Sequence, residues 1–223
     1  MRLHEALSPR RGGNRRCLPD HDPGVLIVVG LLGGSFDPVH HGHLVTAVVL
    51  RELLELSEVR LVPAGAQPFK AGHAAPGEHR LRMVELAVAD YPGLAVERAE
   101  LDRPGPSYMV DTLRQLRARE PGESWALLVG ADAAADFSSW READTILQLA
   151  KVVFFGRVGH APPPPPPPPP GPRDAEQVAV PDLEISATDI RARVRHGRSI
   201  RYWVPDAVAE YVATHRLYVE DEG

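Results

Sequence analysis

Two periodicities alternate along this chain: short runs that are almost wholly apolar, and longer stretches whose apolar positions recur every three to four residues. The runs at 25–32, 59–62, 94–97, 125–129 and 152–155 predict strands. Helical spacing predicts helices over about 42–57, 77–90, 107–120, 188–196 and 205–214. Strands that are apolar throughout, and separated by helices, belong to a mostly parallel sheet covered by helices on both faces. In such α/β folds ligands bind outside the carboxyl ends of the strands. The turn after the first strand is therefore the first place to look for chemistry.

Two irregular segments interrupt this pattern. Residues 1–23 carry Arg10, Arg11, Arg15 and Arg16 among Pro, Gly and Asn with no apolar segment behind them, which predicts a disordered extension before a single domain over 24–219. Nine consecutive prolines, Pro162 to Pro170, followed by Gly171 and Pro172, predict an exposed polyproline II loop at 162–172. That loop reads as a tolerated surface expansion, or as a ligand for an aromatic-lined Pro-binding module.

Composition narrows the picture further. The 223 residues carry 25 basic and 30 acidic side chains, a formal charge of −5, which argues against general coating of nucleic acid. Cys17 is the only cysteine, so a disulfide scaffold is excluded and a cytoplasmic, reducing setting is expected. No apolar run approaches the roughly 20 residues that span a bilayer, so no membrane partner is expected.

The first strand runs directly into Gly33, Gly34, Ser35, Phe36, Asp37 and Pro38, and then into Val39, His40, His41, Gly42, His43 and Leu44 at a helix start. Adjacent glycines admit a bulky ligand, and free amides at a helix N-terminus favour phosphate. Neither the G-x-G-x-x-G dinucleotide pattern nor a G-x-x-x-x-G-K-[ST] phosphate loop is present. His40 and His43, three apart, project to nearly one side and can donate to phosphoryl oxygens. Metal ligation and plain helix capping are the alternatives for the pair, and no cysteine or H-E-x-x-H context completes a zinc site.

This twelve-residue run resembles the signature of the nucleotidylyltransferase superfamily, in particular the bacterial nicotinate-nucleotide adenylyltransferases. The resemblance extends over about 25–219 and implies a Rossmann-like nucleotidyltransferase fold. It implies that His40 and His43 contact ATP phosphates, that Gly33, Gly34, Ser35, Phe36 and Gly42 bind ATP with Gly42 leaving room for the nucleotide, and that Asp37 faces the mononucleotide. Pro63 to Lys70 resembles the family's Pro-rich loop, with Lys70 placing a mobile charge over the triphosphate, although Phe69 stands where the family has His. Arg80, in the next helix, is expected to be structural.

Ser107, Tyr108 and Met109 resemble the family's nicotinate-holding segment. Ser107 also fits a plain helix cap and Tyr108 core packing, and Met109 replaces the usual Thr. Asp132 at a strand end suits ribose hydroxyls, and Trp140 suits either stacking on a pyridine ring or the core. Ser186 and Asp189 fit a capping box; the same helix start, with Thr188 and Arg191, suits the β- and γ-phosphates.

The activity implied is transfer of the adenylyl group of ATP to nicotinate mononucleotide, with Mg²⁺ as partner of the triphosphate and no protein metal cage. Rivals are the same chemistry on nicotinamide mononucleotide or on pantetheine phosphate, and a nonenzymatic nucleotide-binding adaptor. Nothing in the pattern sets the oligomeric state.

Overall fold

The computed structural model describes residues 28–66, 72–157, 176–181 and 183–219. The predicted extension at 1–23, the polyproline loop at 162–172 and Lys70 lie outside the described residues. Six strands form one sheet: β1 (Val28–Gly34), β2 (Glu58–Pro63), β3 (Leu94–Val96), β4 (Ser124–Gly130), β5 (Lys151–Arg157) and β6 (Glu176–Val180). Their order is β3-β2-β1-β4-β5-β6, and every pair is parallel. Around them lie helices α1 (His41–Leu53), α2 (Gly77–Val88), α3 (Ala99–Asp102), α4 (Met109–Arg119), α5 (Ala131–Ala134), α6 (Ala143–Leu149), α7 (Ala187–Arg195) and α8 (Asp206–Thr214).

Alternate strand residues feed two separate cores. Leu32, Leu61, Leu128 and Val153 pack with α1, α2, α7 and α8, while Val29, Leu31, Leu127 and Phe154 pack with α4 and α6. Because both faces are covered, the strands lack the polar alternation of a half-exposed sheet, which is why they read as continuous apolar runs. The chain leaves β1 towards β2 and later returns to β4 on its other side. The carboxyl ends of β1 and β4 thus flank the crevice where an α/β sheet binds ligands.

Three departures from the sequence reading have local causes. The first helix ends at Leu53, short of 57, because Glu55 takes a left-handed conformation (φ 52°) while the Leu56 amide donates to Arg51 O and the Glu55 amide to Glu52 O. This is a Schellman closure without the glycine that normally signals one. Helix α4 starts at Met109 with Tyr108 at its N-cap, so Ser107 is not the cap; its hydroxyl donates to Glu100 O at 3.4 Å. Strand β6, unforeseen because it is short and follows the proline run, pairs with β5 from Val153↔Glu176 onwards.

Candidate active site

A cleft of about 1050 Å³ opens at the carboxyl ends of β1 and β4. Gly33, Gly34, Ser35, Phe36 and Asp37 line it from the first turn; His40, Gly42, His43 and Thr46 from α1; Asp132 from α5; Ser186, Thr188 and Arg191 from α7. Residues separated by more than 150 positions in sequence therefore meet at one place. The starts of α1 and α7 both reach this cleft, and a helix start is a natural seat for anionic groups.

The two histidines are held before any ligand arrives. His40 is the N-cap of α1 in an extended conformation, and its amide donates to His43 Nδ1 at 3.3 Å, while the His43 amide donates to His40 O at 2.9 Å. The rings stack with centroids 3.7 Å apart, and the buried Phe36 ring meets His43 edge-on at 4.9 Å. Burial, reinforced by the neighbouring His41, lowers the His40 pKa to about 4; burial and His40 lower that of His43 to about 3. Both rings are neutral at pH 7. Since Nδ1 of His43 accepts a hydrogen bond, the neutral ring carries its hydrogen on Nε2, which makes that nitrogen a donor.

Gly42 has a structural reason besides the one its motif implies. A Cβ at that position would lie 3.0 Å from His40 Nδ1, so the missing side chain gives space to the His40 ring as well as to the cleft it lines.

Asp37 also has structural partners. It is 4% exposed, and its carboxylate accepts the Ala74 amide (2.6 Å), the Ala75 amide (3.2 Å) and the Tyr218 hydroxyl (2.7 Å). Both oxygens are engaged inside the protein, so Asp37 ties the turn after β1 to the segment before α2 and to the chain beyond α8. Arg191 Nη1 donates to Asp37 O at 2.7 Å and Nη2 to Thr188 Oγ1 at 3.3 Å, which leaves the guanidinium at the cleft wall. Arg80, 2% exposed, donates to Ser35 O and Ala75 O, which matches its expected structural part. The Ser186 hydroxyl accepts the Asp189 amide at 3.1 Å and donates to the Asp189 carboxylate at 2.7 Å, closing the start of α7.

Of the remaining predicted residues that are described, Asp132 lines this cleft and Ser107, Tyr108, Met109 and Trp140 do not. Met109 lies next to it: its Cε is 3.5 Å from where a Gly33 Cβ would stand. Tyr108 lies under the Arg141 guanidinium at 4.7 Å, and Trp140, half-buried, packs on Phe137 at 5.3 Å. Asp132, exposed, stands in the first turn of α5 directly after β4. The sequence reading missed Thr46, His73, Phe155, Val180 and Pro181 on the wall, and Tyr218 behind it. Most of these come from elements far from the glycine turn, and only the unforeseen β6 could have flagged Val180 and Pro181. Among the described residues, no group of three or more His, Cys, Asp or Glu side chains is placed to hold a metal ion.

Comparison with known proteins gives a consistent result. A family model described as cytidylyltransferase-like matches residues 31–193. A Roseiflexus sp. (strain RS-1) protein named "probable nicotinate-nucleotide adenylyltransferase" is 48% identical over 194 residues, covering 85% of this chain and 97% of its own length. A protein of the same name from Thermus thermophilus is 45% identical over 190 residues, covering 85% and 98%. Among solved structures, the Plasmodium falciparum nicotinic acid mononucleotide adenylyltransferase complexed with NaAD superposes with a TM-score of 0.67 at 17% identity, over 86% of this chain and 97% of that one. At that identity the superposition speaks for the fold alone.

Proposed function

The chain belongs to the cytidylyltransferase-like family and, within it, to the nicotinate-nucleotide adenylyltransferases, and from that premise we infer that it transfers the adenylyl group of ATP to nicotinate mononucleotide. The products are nicotinate adenine dinucleotide and pyrophosphate, a step of NAD biosynthesis. An oxygen of the mononucleotide phosphate forms a bond to the α-phosphorus as the bond to the bridging oxygen breaks, and pyrophosphate leaves with the electron pair.

The attacking phosphate is already largely ionised at neutral pH, so the reaction needs no general base. What it needs is alignment and charge stabilisation. The stacked neutral pair His40 and His43, held at the start of α1 against the cleft, carries this reading: neutral rings donate hydrogen bonds to phosphoryl oxygens without having to surrender a proton. Arg191 and Thr188, with the α7 start and Ser186, face the β- and γ-phosphates; Lys70 is assigned the same side. Gly33, Gly34, Ser35 and Phe36 shape the adenylate side of the cleft, while Ser107, Tyr108, Met109, Asp132 and Trp140 form the acceptor side. Asp37 is assigned a positioning role.

Mg²⁺ would be held by the triphosphate itself, where it would offset part of the phosphate charge. The cytoplasm, where ATP is at hand, is the compartment of this reading; no described helix is long and apolar enough to cross a membrane.

The test is product analysis. Purified protein with ATP, Mg²⁺ and nicotinate mononucleotide should form nicotinate adenine dinucleotide and pyrophosphate in equal amounts, faster than any product from nicotinamide mononucleotide or pantetheine phosphate. A preference for either rival acceptor keeps the chemistry and replaces the substrate, and no product with any of them contradicts the reading.

A further inference from the structure

The acid and amide mononucleotides differ by one negative charge, so a residue that chooses between them must place positive charge at the nicotinate end. Two arginines stand at the start of α4, where the acceptor side of the site is assigned. Arg141 lies over the Tyr108 ring, but its side chain is 54% exposed and 3.9 Å from Asp111 Oδ2, so water and a carboxylate both screen it.

Arg103 is placed differently. It lies behind the first turn of α4, where Nη2 donates to Thr112 Oγ1 at 3.1 Å and approaches Tyr108 O at 3.5 Å. Its Nε and Nη1 are buried and have no hydrogen-bond partner among the described residues. Unpaired, buried guanidinium nitrogens cost stability unless something else uses the charge. Thr112, fully buried, stands between Arg103 and the acid Glu100, donating to Glu100 Oε1 at 3.2 Å. Burial raises the Glu100 carboxyl above its ordinary range, against the pull of Thr112 and Arg103, which weakens it as a counter-ion.

This cluster is pinned to the segment just beyond β2. The Ser107 amide donates to Ala66 O at 2.8 Å, and a Cβ on Gly65 would come within 2.5 Å of both Glu100 O and Ser107 Oγ. Only glycine allows so close an approach of the β2 end to this segment.

We propose that Arg103 is a specificity-determining residue: its buried charge, added to the positive end of α4, favours an acceptor with a carboxylate on its ring over one with a carboxamide. The proposal rests on the adenylyltransferase reading above.

The experiment compares kcat/KM for nicotinate and nicotinamide mononucleotide at saturating Mg²⁺-ATP, in the full chain and in Arg103→Met and Arg103→Lys, with thermal melting alongside. The acid-to-amide ratio should fall at least about tenfold in Arg103→Met, chiefly through the KM of the acid, with the KM of ATP unchanged, and Arg103→Lys should recover most of it. An equal loss for both acceptors, or an unchanged ratio, overturns the proposal. The wild-type chain gives a second reading that needs no variant to fold. Between about 50 and about 500 mM salt the ratio should change less than about twofold, because a buried charge escapes screening; a steep fall assigns selectivity to an exposed charge and overturns the proposal. A wild-type chain that turns over neither acceptor overturns the functional reading and this assignment with it.

Discussion

The two sides of the site are built by opposite means. On the phosphate side, His40, Phe36 and Asp37 are buried and His43 is half-buried, and backbone amides, ring stacking and the Tyr218 hydroxyl fix their positions. On the acceptor side, Asp132 is exposed, and Trp140 and Tyr108 are half-buried, Trp140 packed on Phe137 and Tyr108 under the Arg141 guanidinium. The first side resists rearrangement; the second can adapt. That division suits a reaction in which the transition-state charge develops at one fixed phosphorus, where donors must already be in place, whereas the acceptor needs only to be held and recognised.

The comparison breaks most visibly at His43. Replacing His43 with Ala removes a preset donor and should lower kcat by about 10²–10³-fold, as loss of one oxyanion-type donor does, while the melting temperature moves little; pyrophosphate release measures it. Asp37→Asn should be felt in stability, because an amide NH₂ would replace one of two accepting oxygens, facing either the backbone amides or the Tyr218 hydroxyl. We expect a loss of about 1–3 kcal/mol, read as a fall of several degrees in Tm, together with a raised KM for ATP. Gly42→Ala should push the His40 ring out of register through the 3.0 Å approach, at a cost of about 1–3 kcal/mol divided between stability and kcat.

On the adaptable side the effects should be smaller and confined to the acceptor. Trp140→Leu should raise the KM for the mononucleotide by about two- to tenfold, the worth of one aromatic stack, and leave the KM of ATP alone in steady-state kinetics. The same two histidines also make stability depend on pH. The folded pKa values of about 4 for His40 and about 3 for His43 lie below the ordinary 6.5, so between those limits the unfolded chain binds more protons. Stability from these rings is therefore full above about pH 6.5 and is lost as pH falls towards 4 and 3. Thermal melts from pH 8 to 4 should show that loss, flattened in His43→Ala.

The same contrast governs what the sequence made legible. The parallel sheet was readable because strands buried on both faces are apolar throughout, and the phosphate side because its residues from Gly33 to His43 are contiguous, so local spacing alone brings the imidazoles together. The structural part of Asp37 was not legible because its partners Ala74, Ala75 and Tyr218 lie 37 to 181 positions away, beyond the reach of any local pattern. Gly42 was read for its ligand and not for His40, since ring packing leaves no trace in spacing. The end of α1 was placed late because a glutamate, Glu55, fills the left-handed position. Ser107 looked like a cap because its type fits one, yet its hydroxyl is taken by Glu100 O across the turn.

The central claim is that the histidine pair of the phosphate side is in place and uncharged before substrate binds. Imidazole ¹⁵N resonances of the ligand-free protein, followed from pH 8 down to about 5, test it most directly. The account predicts that His43 stays neutral throughout, protonated on Nε2 and unprotonated on Nδ1, with His40 likewise untitrated. A His43 ring that takes up a proton near its ordinary pKa of about 6.5, or that exchanges between tautomers at pH 7, would contradict it.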